Sequence, residues 1–275
     1  MNRNSALTSR GLVAATLLAT VCICSSAQAS LLWVGYDTTT AVQRWTTGGV
    51  SQGTFGMGGA TGTALDGAFA WTVQPSGGDS VITKYNATQA PVATIHFTGG
   101  IDNGNGFPSW IEDMASGSNH SLWLSGFNGI IYHVDSSGNI LSHFDSGHTF
   151  SGIEVVGASV YTTSGTSGDS IFKYDMSGTL LSTITVTGMS GIGGLAYDPT
   201  DNTFWAGTFG AVDHVALNGT LLGSLSLPGA FHDGLAIGDL SRGIPELSSW
   251  MMMLIGFAGV GLRCRRGRLA ATAVS

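Results

Sequence analysis

The feature that most constrains the fold of this chain is a repeat with a period near forty residues. Five short segments, each an alternation of apolar and polar side chains, align on a central aromatic residue or valine. These central residues are Trp45, Tyr85, Val134, Tyr174 and Val215. Because short alternating strands at a period of about forty residues are typical of propeller blades, the repeat predicts an all-β fold, a single β-propeller.

Each repeat predicts four strands, from a small-residue inner strand to an outer strand that follows a Gly or Asn turn. Residues 32–35 have the pattern of a second strand without an inner partner, whereas residues 233–239 have the pattern of an inner strand without a successor. Pairing these two segments would complete the first blade and remove the open edges between blades. The sequence therefore predicts a propeller domain over residues 30–240, with five four-stranded blades closed by its N- and C-terminal strands.

Three tryptophans recur at equivalent positions of the predicted second strands. They are Trp71, Trp123 and Trp205. Large aromatic side chains at a repeated strand position are expected to fill the space between neighbouring blades. We therefore predict that these residues belong to the core.

One register position carries a basic side chain in every repeat. Arg44, Lys84 and Lys173 occupy it in three repeats, and His133 and His214 occupy it in the other two. A ring of bases that binds an anionic ligand is one interpretation. We favour another, in which solvent-facing charges near the outer rim prevent sheet edges from associating, because positions in five blades lie too far apart to converge on one ligand.

The charge of the predicted propeller excludes some partners. Residues 31–240 contain three Lys and Arg residues but sixteen Asp and Glu residues, a net charge of −13. Such a body repels nucleic acid and anionic lipid surfaces, so no nucleic-acid partner is predicted. The acidity suits solubility outside a cell or contact with cations.

Five polar residues near the starts of inner strands are the candidate site. They are Glu112, Asp113, Glu154, His232 and Asp233. Propellers place ligands at the mouth of the central channel, where converging carboxylates could hold a divalent metal. The other interpretation is that these acids cap turns or face water. The sequence shows no nucleophile elbow, zinc-protease helix or paired-cysteine motif, so no catalytic residue and no cofactor beyond this channel cation is considered.

The N-terminus predicts export. Arg3 and Arg10 precede an apolar run over residues 11–24, and the small residues Ala27 and Ala29 follow where a signal peptidase cleaves. Residues 1–29 are therefore predicted to be a helical signal peptide. Cleavage leaves Cys264 as the one cysteine of the mature chain, so no intramolecular disulfide is expected.

The C-terminus combines a short polar motif, an apolar segment and an arginine cluster. Residues 243–268 contain Pro245, Glu246 and Trp250 near their start. This arrangement resembles the PEP-CTERM tail of exported Gram-negative bacterial proteins. Leu247 replaces the second proline that is usual in that family. The resemblance implies that a membrane-embedded exosortase recognises and cleaves the tail.

The tail also carries a predicted transmembrane helix at about residues 248–262. This segment has no charged residue, and the arginines Arg263, Arg265 and Arg266 follow it. Positive charges beside a membrane segment favour the cytoplasmic side. The propeller is therefore expected outside the inner membrane, anchored by the tail before processing and then at the cell surface or in the medium.

Two functions remain open from the sequence. In the first, the chain is a non-enzymatic binding or matrix module, linked to extracellular polysaccharide through the resemblance to PEP-CTERM proteins. In the second, it is a propeller hydrolase or lyase with a divalent metal in the channel. The second hypothesis requires Glu112, Glu154 and Asp233 to converge within reach of one metal ion.

Overall fold

Five antiparallel sheets of four strands each make up the described part of the chain. The computed structural model describes residues 30–36, 41–56, 60–76, 78–98, 100–149, 152–165 and 168–240. The predicted signal peptide, sorting motif and transmembrane segment lie outside these residues. Among the described residues, no helix is both long and apolar enough to cross a membrane.

The strands are numbered in chain order. The first blade contains β20 (Leu235–Gly238), β1 (Leu31–Val34), β2 (Val42–Thr46) and β3 (Ser51–Phe55), from the inside outwards. The second contains β4 (Gly62–Asp66), β5 (Phe69–Ser76), β6 (Asp79–Asn86) and β7 (Pro91–Phe97). The third contains β8 (Ile111–Ser116), β9 (Leu122–Gly126), β10 (Ile130–Val134) and β11 (Ile140–Asp145).

The last two blades follow the same order. The fourth contains β12 (Ile153–Val156), β13 (Ser159–Thr163), β14 (Ser170–Asp175) and β15 (Leu180–Thr185). The fifth contains β16 (Leu195–Asp198), β17 (Thr203–Gly207), β18 (Phe209–Ala216) and β19 (Leu221–Phe231). A single 3₁₀ turn, Ser118–His120, interrupts the strand order in the described residues.

The ring closes between the two ends of the described chain. Strand β20 pairs with β1, so that Ala236 lies opposite Trp33 and Leu235 lies opposite Val34. The indole Nε1 of Trp33 also donates to the carbonyl of Gly238 at 3.0 Å. The predicted closure of five blades by the terminal strands is confirmed.

Side-chain caps fix the turns that lead into the outer strands. In the third blade, Asp135 Oδ1 accepts the backbone N–H groups of Ser137 and Asn139 at 2.8 and 2.9 Å. Gly138 completes that turn with a φ of 88°, a conformation that costs glycine little. Asp175 makes the equivalent contacts in the fourth blade. The recurrent Asp-x-Ser-Gly sequence is therefore a turn signal, as Asx turns require.

The core of the described residues consists of five clusters, one at each interface between neighbouring blades. The cluster around Trp71, for example, joins β5 of the second blade to Met114 and Leu122 of the third. Trp205 of the fifth blade packs in the same cluster as Leu32 and Val34 of the first. Trp71, Trp123 and Trp205 are 1, 3 and 5% exposed. Their predicted place in the core between blades is confirmed.

The basic side chain of each third strand lies on the aromatic ring of the second strand beside it. The five register pairs are Trp33–Arg44, Trp71–Lys84, Trp123–His133, Tyr161–Lys173 and Trp205–His214. The two histidine rings stack on their tryptophans at centroid distances of 4.4 Å. Lys84 Nζ lies 4.8 Å from the centroid of Trp71, and the side chain is only 16% exposed.

The predicted rim role of these charges is therefore wrong in one respect. The basic groups do not point freely into solvent, because each covers the face of a buried aromatic ring, where cation–π attraction and aliphatic packing act together. The alternation of apolar and polar side chains predicts the register of these basic residues, but it does not predict which aromatic ring each one contacts. They form a structural ladder within the blades.

Candidate ligand-binding site at the channel mouth

The inner strands surround a central channel with a cavity at each end. Strands β20, β4, β8, β12 and β16 contact one another in succession around the axis. Residues at the starts of these strands border a cavity of about 550 Å³, and residues at their ends border a second one of about 190 Å³. We call the first the wide mouth and the second the narrow mouth.

Four aromatic side chains dominate the lining of the wide mouth. They are Trp110, Phe127, Phe209 and Phe231, and Thr61, Pro75, Ser190, Gly191, Glu112 and Asp233 complete the lining. Phe209 is 76% exposed. An aromatic ring so exposed beside a concave surface is available to a ligand.

Extra residues of the third repeat hold the first pair of aromatic rings in place. Asn103 and Asn105 both donate from Nδ2 to the carbonyl of Asn128, at 3.0 and 2.7 Å. The backbone N–H of Phe127 donates to the carbonyl of Trp110 at 2.8 Å. Their rings meet edge to face with centroids 4.9 Å apart. The insertion that lengthens this repeat thus builds one wall of the wide mouth.

The other wall comes from an unusually long outer strand. Strand β19 runs for 11 residues and brings Phe231 opposite Phe209 at the start of β18. The ring of Phe231 lies directly against Gly193, where a side chain would not fit, because a Cβ at that residue would lie 2.3 Å from Phe231 Cε1. The two walls belong to the third and fifth blades, and neither pair of rings occupies a repeated position.

Two carboxylates reach the wide mouth between these walls. Glu112 and Asp233 are 7 and 8% exposed. The Nε1–H of Trp110 donates to Glu112 Oε1 at 3.1 Å. The pairing of β8 with β9 shifts register between Ile111 and Asp113, so Glu112 is the extra residue of a β-bulge. Bulges re-aim side chains next to functional sites, and here the bulge accounts for the direction of Glu112.

Asp113 and Glu154 occupy the inner wall at positions where other blades have small residues. Glu154 lies opposite Tyr161, as Ala64 lies opposite Trp71. Asp113 stands two residues before that position, where the four other blades have glycine. Asp113 is fully buried, and its Oδ2 accepts the N–H of Ile153 at 3.1 Å. Glu154 lines the narrow mouth.

Both acids have raised pKa values. Burial raises the pKa of Asp113 well above its usual range, and the nearby charge of Glu154 adds to the effect. Burial also raises the pKa of Glu154 to about 7, although its two oxygens accept the N–H groups of Val155 and Tyr197 at 2.7 and 3.0 Å. Desolvation outweighs hydrogen bonding for this pair.

His232 is buried directly before Asp233 and is not one of the residues that line the wide mouth. Its ring is fully buried, meets Tyr36 edge to face at 4.8 Å, and donates from Nδ1 to the carbonyl of Thr208 at 2.6 Å. Burial lowers the pKa of His232. The side chain therefore fixes the backbone before Asp233.

The five candidate residues are thus divided among three places. Glu112 and Asp233 line the wide mouth, Glu154 lines the narrow mouth, and Asp113 and His232 are buried. Among the described residues, no three His, Cys, Asp or Glu side chains are grouped so that they could hold a metal ion. The convergence of Glu112, Glu154 and Asp233 that a channel metal requires is not found.

Sequence reasoning missed the aromatic lining. Trp110 follows the insertion, Phe127 follows β9, and Phe209 and Phe231 stand at strand ends. Each lies outside the repeated register, so an alignment of the repeats does not match these residues with one another. The signal that could have found them is the set of aromatic residues that the repeat does not explain.

Comparisons with known proteins bear on the fold alone. No protein-family model and no curated protein matches the chain. A solved structure of a protein of unknown function from Bacteroides caccae gives a TM-score of 0.54 at 9% identity, over 76% of this chain and 99% of its own. A chain in a crystal structure of a nidogen/laminin complex gives a TM-score of 0.52 at 14% identity, over 77% and 99%. The likeness agrees with the propeller architecture.

Proposed function

We propose that this chain is a non-enzymatic binding module whose ligand occupies the wide mouth of the propeller channel. The observation that carries the proposal is the composition of that cavity, where four aromatic rings surround two carboxylates. Its volume of about 550 Å³ falls in the range of small-molecule sites. Aromatic walls with a few polar groups are the usual composition of such sites.

Extracellular polysaccharide is the ligand class that the proposal names. Aromatic rings offer flat apolar faces to the C–H faces of a sugar ring, and carboxylate oxygens accept hydrogen bonds from its hydroxyl groups. Trp110 and Glu112 provide one such combination, already joined by a hydrogen bond of 3.1 Å. The open, exposed ring of Phe209 suits a polymer that enters and leaves the cavity.

The experiment on binding compares the full-length protein, purified in detergent, with the variant Trp110→Ala on an array of polysaccharides and oligosaccharides. We expect the wild type to retain a subset of glycans and the variant to lose them. Leu222→Ala is the matched control, because Leu222 is 53% exposed on the outer strand of the fifth blade, away from the cavity lining. Equal binding by all three proteins would contradict the proposed site.

The proposal includes export and sorting, which rest on the terminal sequences. The signal peptide directs the chain across the inner membrane, and the tail that begins at Pro245 and Glu246 anchors it until an exosortase releases the propeller. The acidic body, with a net charge of −13 over residues 31–240, suits this extracellular setting.

The experiment on sorting follows an epitope placed after Ser30 through cell fractionation. Substitution of Pro245 and Glu246 together by Ala should leave a larger, membrane-retained species, whereas Arg44→Ala should sort as the wild type. Equal release of the wild type and the double variant would show that Leu247 marks an inactive motif and that the tail serves only as an anchor.

A further inference from the structure

Exposed aliphatic side chains gather at one end of the blades. Of the twelve large apolar side chains that are exposed among the described residues, ten lie in the turn before an outer strand or in the first two residues of that strand. One member from each blade defines what we call the aliphatic belt. The belt consists of Val50, Val92, Leu141, Leu181 and Leu222, which are 49–60% exposed. Exposed apolar groups that recur in this way indicate a contact surface.

The belt lies at the narrow-mouth end of the sheets. In the fourth blade, Val156 at the end of the inner strand pairs with Ser159, which pairs with Asp175. Leu180 begins the outer strand opposite the residue before Asp175. The start of the outer strand and the end of the inner strand therefore share one end of the sheet. The same order of strands holds in every blade, so the belt surrounds the axis at this end.

The described chain leaves the propeller at the same end. The inner strand β20 follows Asp233 at the wide mouth and reaches Ile237 at the narrow mouth, and the described residues end at Leu240. The predicted transmembrane helix begins at about residue 248, so residues 241–247 connect the two. Seven extended residues reach at most about 25 Å. While the tail spans the membrane, the bilayer therefore lies close to the narrow-mouth end.

The arrangement of the belt suits a flat partner. Five outer corners of one ring, all at the same end of its axis, can be contacted together by a planar surface. Valine and leucine carry no charge, and aliphatic side chains of this kind enter the boundary between lipid headgroups and acyl chains. A bilayer is the flat partner that the tail brings to this end of the propeller.

Charge distinguishes this partner from a second copy and one kind of lipid from another. Asp135 and Asp175 lie in turns before outer strands at this end, and residues 31–240 carry a net charge of −13. Two copies placed face to face would bring these like charges together, whereas copies anchored in one membrane all turn the same end toward it. Anionic lipid is repelled for the same reason. Zwitterionic lipid is therefore the expected surface.

We infer that the aliphatic belt rests on a zwitterionic lipid surface, that of the outer leaflet of the inner membrane, while the tail is anchored. The inference rests on the anchoring in the proposed function. It turns the wide mouth away from the bilayer, toward ligands outside the membrane. Weak contacts suffice, because a short tether keeps the belt at a high effective concentration beside the lipid. Removal of the tail then releases the belt as well.

The test places a fluorophore on the full-length protein, reconstituted into phosphatidylcholine vesicles. The three native cysteines are replaced by serine, and Leu181→Cys or Leu222→Cys introduces a single site for the label. Ser76→Cys is the matched control, because Ser76 is exposed at the wide-mouth end of the second blade. We expect nitroxide-labelled lipid to quench the label at either belt residue several-fold more than the label at Ser76.

Charged variants assign the quenching to the belt as a whole. With the label at Leu181, Val92→Asp together with Leu222→Asp should reduce the quenching, whereas Ser76→Asp should leave it unchanged. Replacement of part of the phosphatidylcholine by phosphatidylglycerol should reduce it too. Circular dichroism checks that each variant is folded, and the comparison of labels without charged substitutions decides the matter if a variant does not fold.

The outcomes separate the inference from the function on which it rests. Failure of the protein to float with the vesicles would overturn the proposed anchoring together with the inference. Flotation with equal quenching at Leu181 and Ser76 would overturn the inference and leave the anchoring standing. Belt labels that are shielded from water without lipid quenching, in a protein that cross-links to twice its mass, would assign the belt to a second copy. Stronger quenching in phosphatidylglycerol would overturn the preference for zwitterionic lipid.

Discussion

The residues that repeat and the residues that break the repeat serve different regions of this propeller. Repeated residues stack within their own blade and pack against the next blade. In the fifth blade, for example, Trp205 stacks on His214 and packs against the first blade. The exceptions, among them Glu112 in its bulge and Phe209 at a strand end, line the channel or its mouth. Five similar blades are needed to close a ring, whereas one asymmetric ligand needs only one asymmetric site.

Stability and recognition are thus assigned to different residues of the propeller. A change in a repeated residue disturbs an interface between two blades and so weakens the ring. A change in an exception alters a surface that the ring already supports. Changes in repeated residues should therefore cost more stability than changes in the exceptions.

The largest effect should come from opening the ring. Deletion of residues 233–239 removes β20, which pairs with β1 and completes the first blade. We expect the loss of a single cooperative unfolding transition, because the first and fifth blades then lose their shared interface. Thermal unfolding followed by circular dichroism measures this. A cooperative transition near that of the full-length protein would show that closure contributes little.

A repeated and an unrepeated aromatic residue should differ in their contribution to stability. Trp205→Ala should lower the free energy of unfolding by about 3–5 kcal/mol, as large-to-small changes in cores do, because Trp205 is 5% exposed. Phe209→Ala should change it by less than about 0.5 kcal/mol, since exposed positions tolerate substitution. Urea unfolding of both variants checks the pair. Similar losses of unfolding free energy in the two variants would contradict the division between repeated residues that stabilise the ring and unrepeated residues that line the cavity.

The pH dependence of stability tests the acids that break the inner-strand pattern. Glu154 has a pKa of about 7 in the folded chain and an ordinary value of 4.5. Since the folded state holds this proton more tightly, its contribution to stability is complete below about pH 4.5 and is lost as pH rises through about 7. The wild type should therefore lose stability between these values, and Glu154→Gln should lose less.

The measurement is urea unfolding of the wild type and Glu154→Gln at a series of pH values. The raised pKa of Asp113 acts in the same direction in both proteins, so the difference between the two curves reports Glu154 together with its electrostatic effect on Asp113. Ala64→Ser, at the equivalent position of the second blade, is the matched control, because serine does not titrate in this range. Parallel curves for the wild type and Glu154→Gln would contradict the raised pKa of this acid.

The sequence predicted the closed ring of five blades more completely than the binding site, for a physical reason. A period near forty residues, the lone second strand around Trp33 and the lone inner strand around Leu235 were enough to predict five blades and their closure, because strand alternation and repetition are encoded locally. The same logic placed Glu112 and Asp233 near a channel mouth. It did so because inner strands of all blades begin at the same end.

What the sequence could not give depends on contacts between distant segments. The burial of Asp113 results from the close approach of β4 and β8, where a Cβ on Gly62 would lie 2.6 Å from the Asp113 Cα. The bulge at Glu112 appears only once β8 pairs with β9. Phe127 and Phe231 are 104 residues apart in number and meet at one cavity only through the closed ring.

The smallest predicted effect concerns the ladder of basic and aromatic residues. Lys84 Nζ lies 4.1 Å from the centroid of Phe69 and 4.8 Å from that of Trp71, with Asp66 Oδ2 at 3.9 Å. Lys84→Gln keeps much of the aliphatic stem but removes the charge, so the free energy of unfolding should fall by about 1 kcal/mol. Lys173→Gln should cost less, because Lys173 Nζ is 5.6 Å from the centroid of Tyr161.

Urea unfolding at low and high salt measures both lysine variants. Added salt screens the exposed part of the ion pair between Lys84 and Asp66 more than the contact with the aromatic faces. The loss in Lys84→Gln should therefore persist largely at high salt. A loss that disappears in salt would assign Lys84 to surface electrostatics and return the basic register to the rim role that the sequence first indicated. A loss that persists in high salt, and is larger in Lys84→Gln than in Lys173→Gln, would instead show that these basic side chains stabilise the blades through the aromatic rings that they cover.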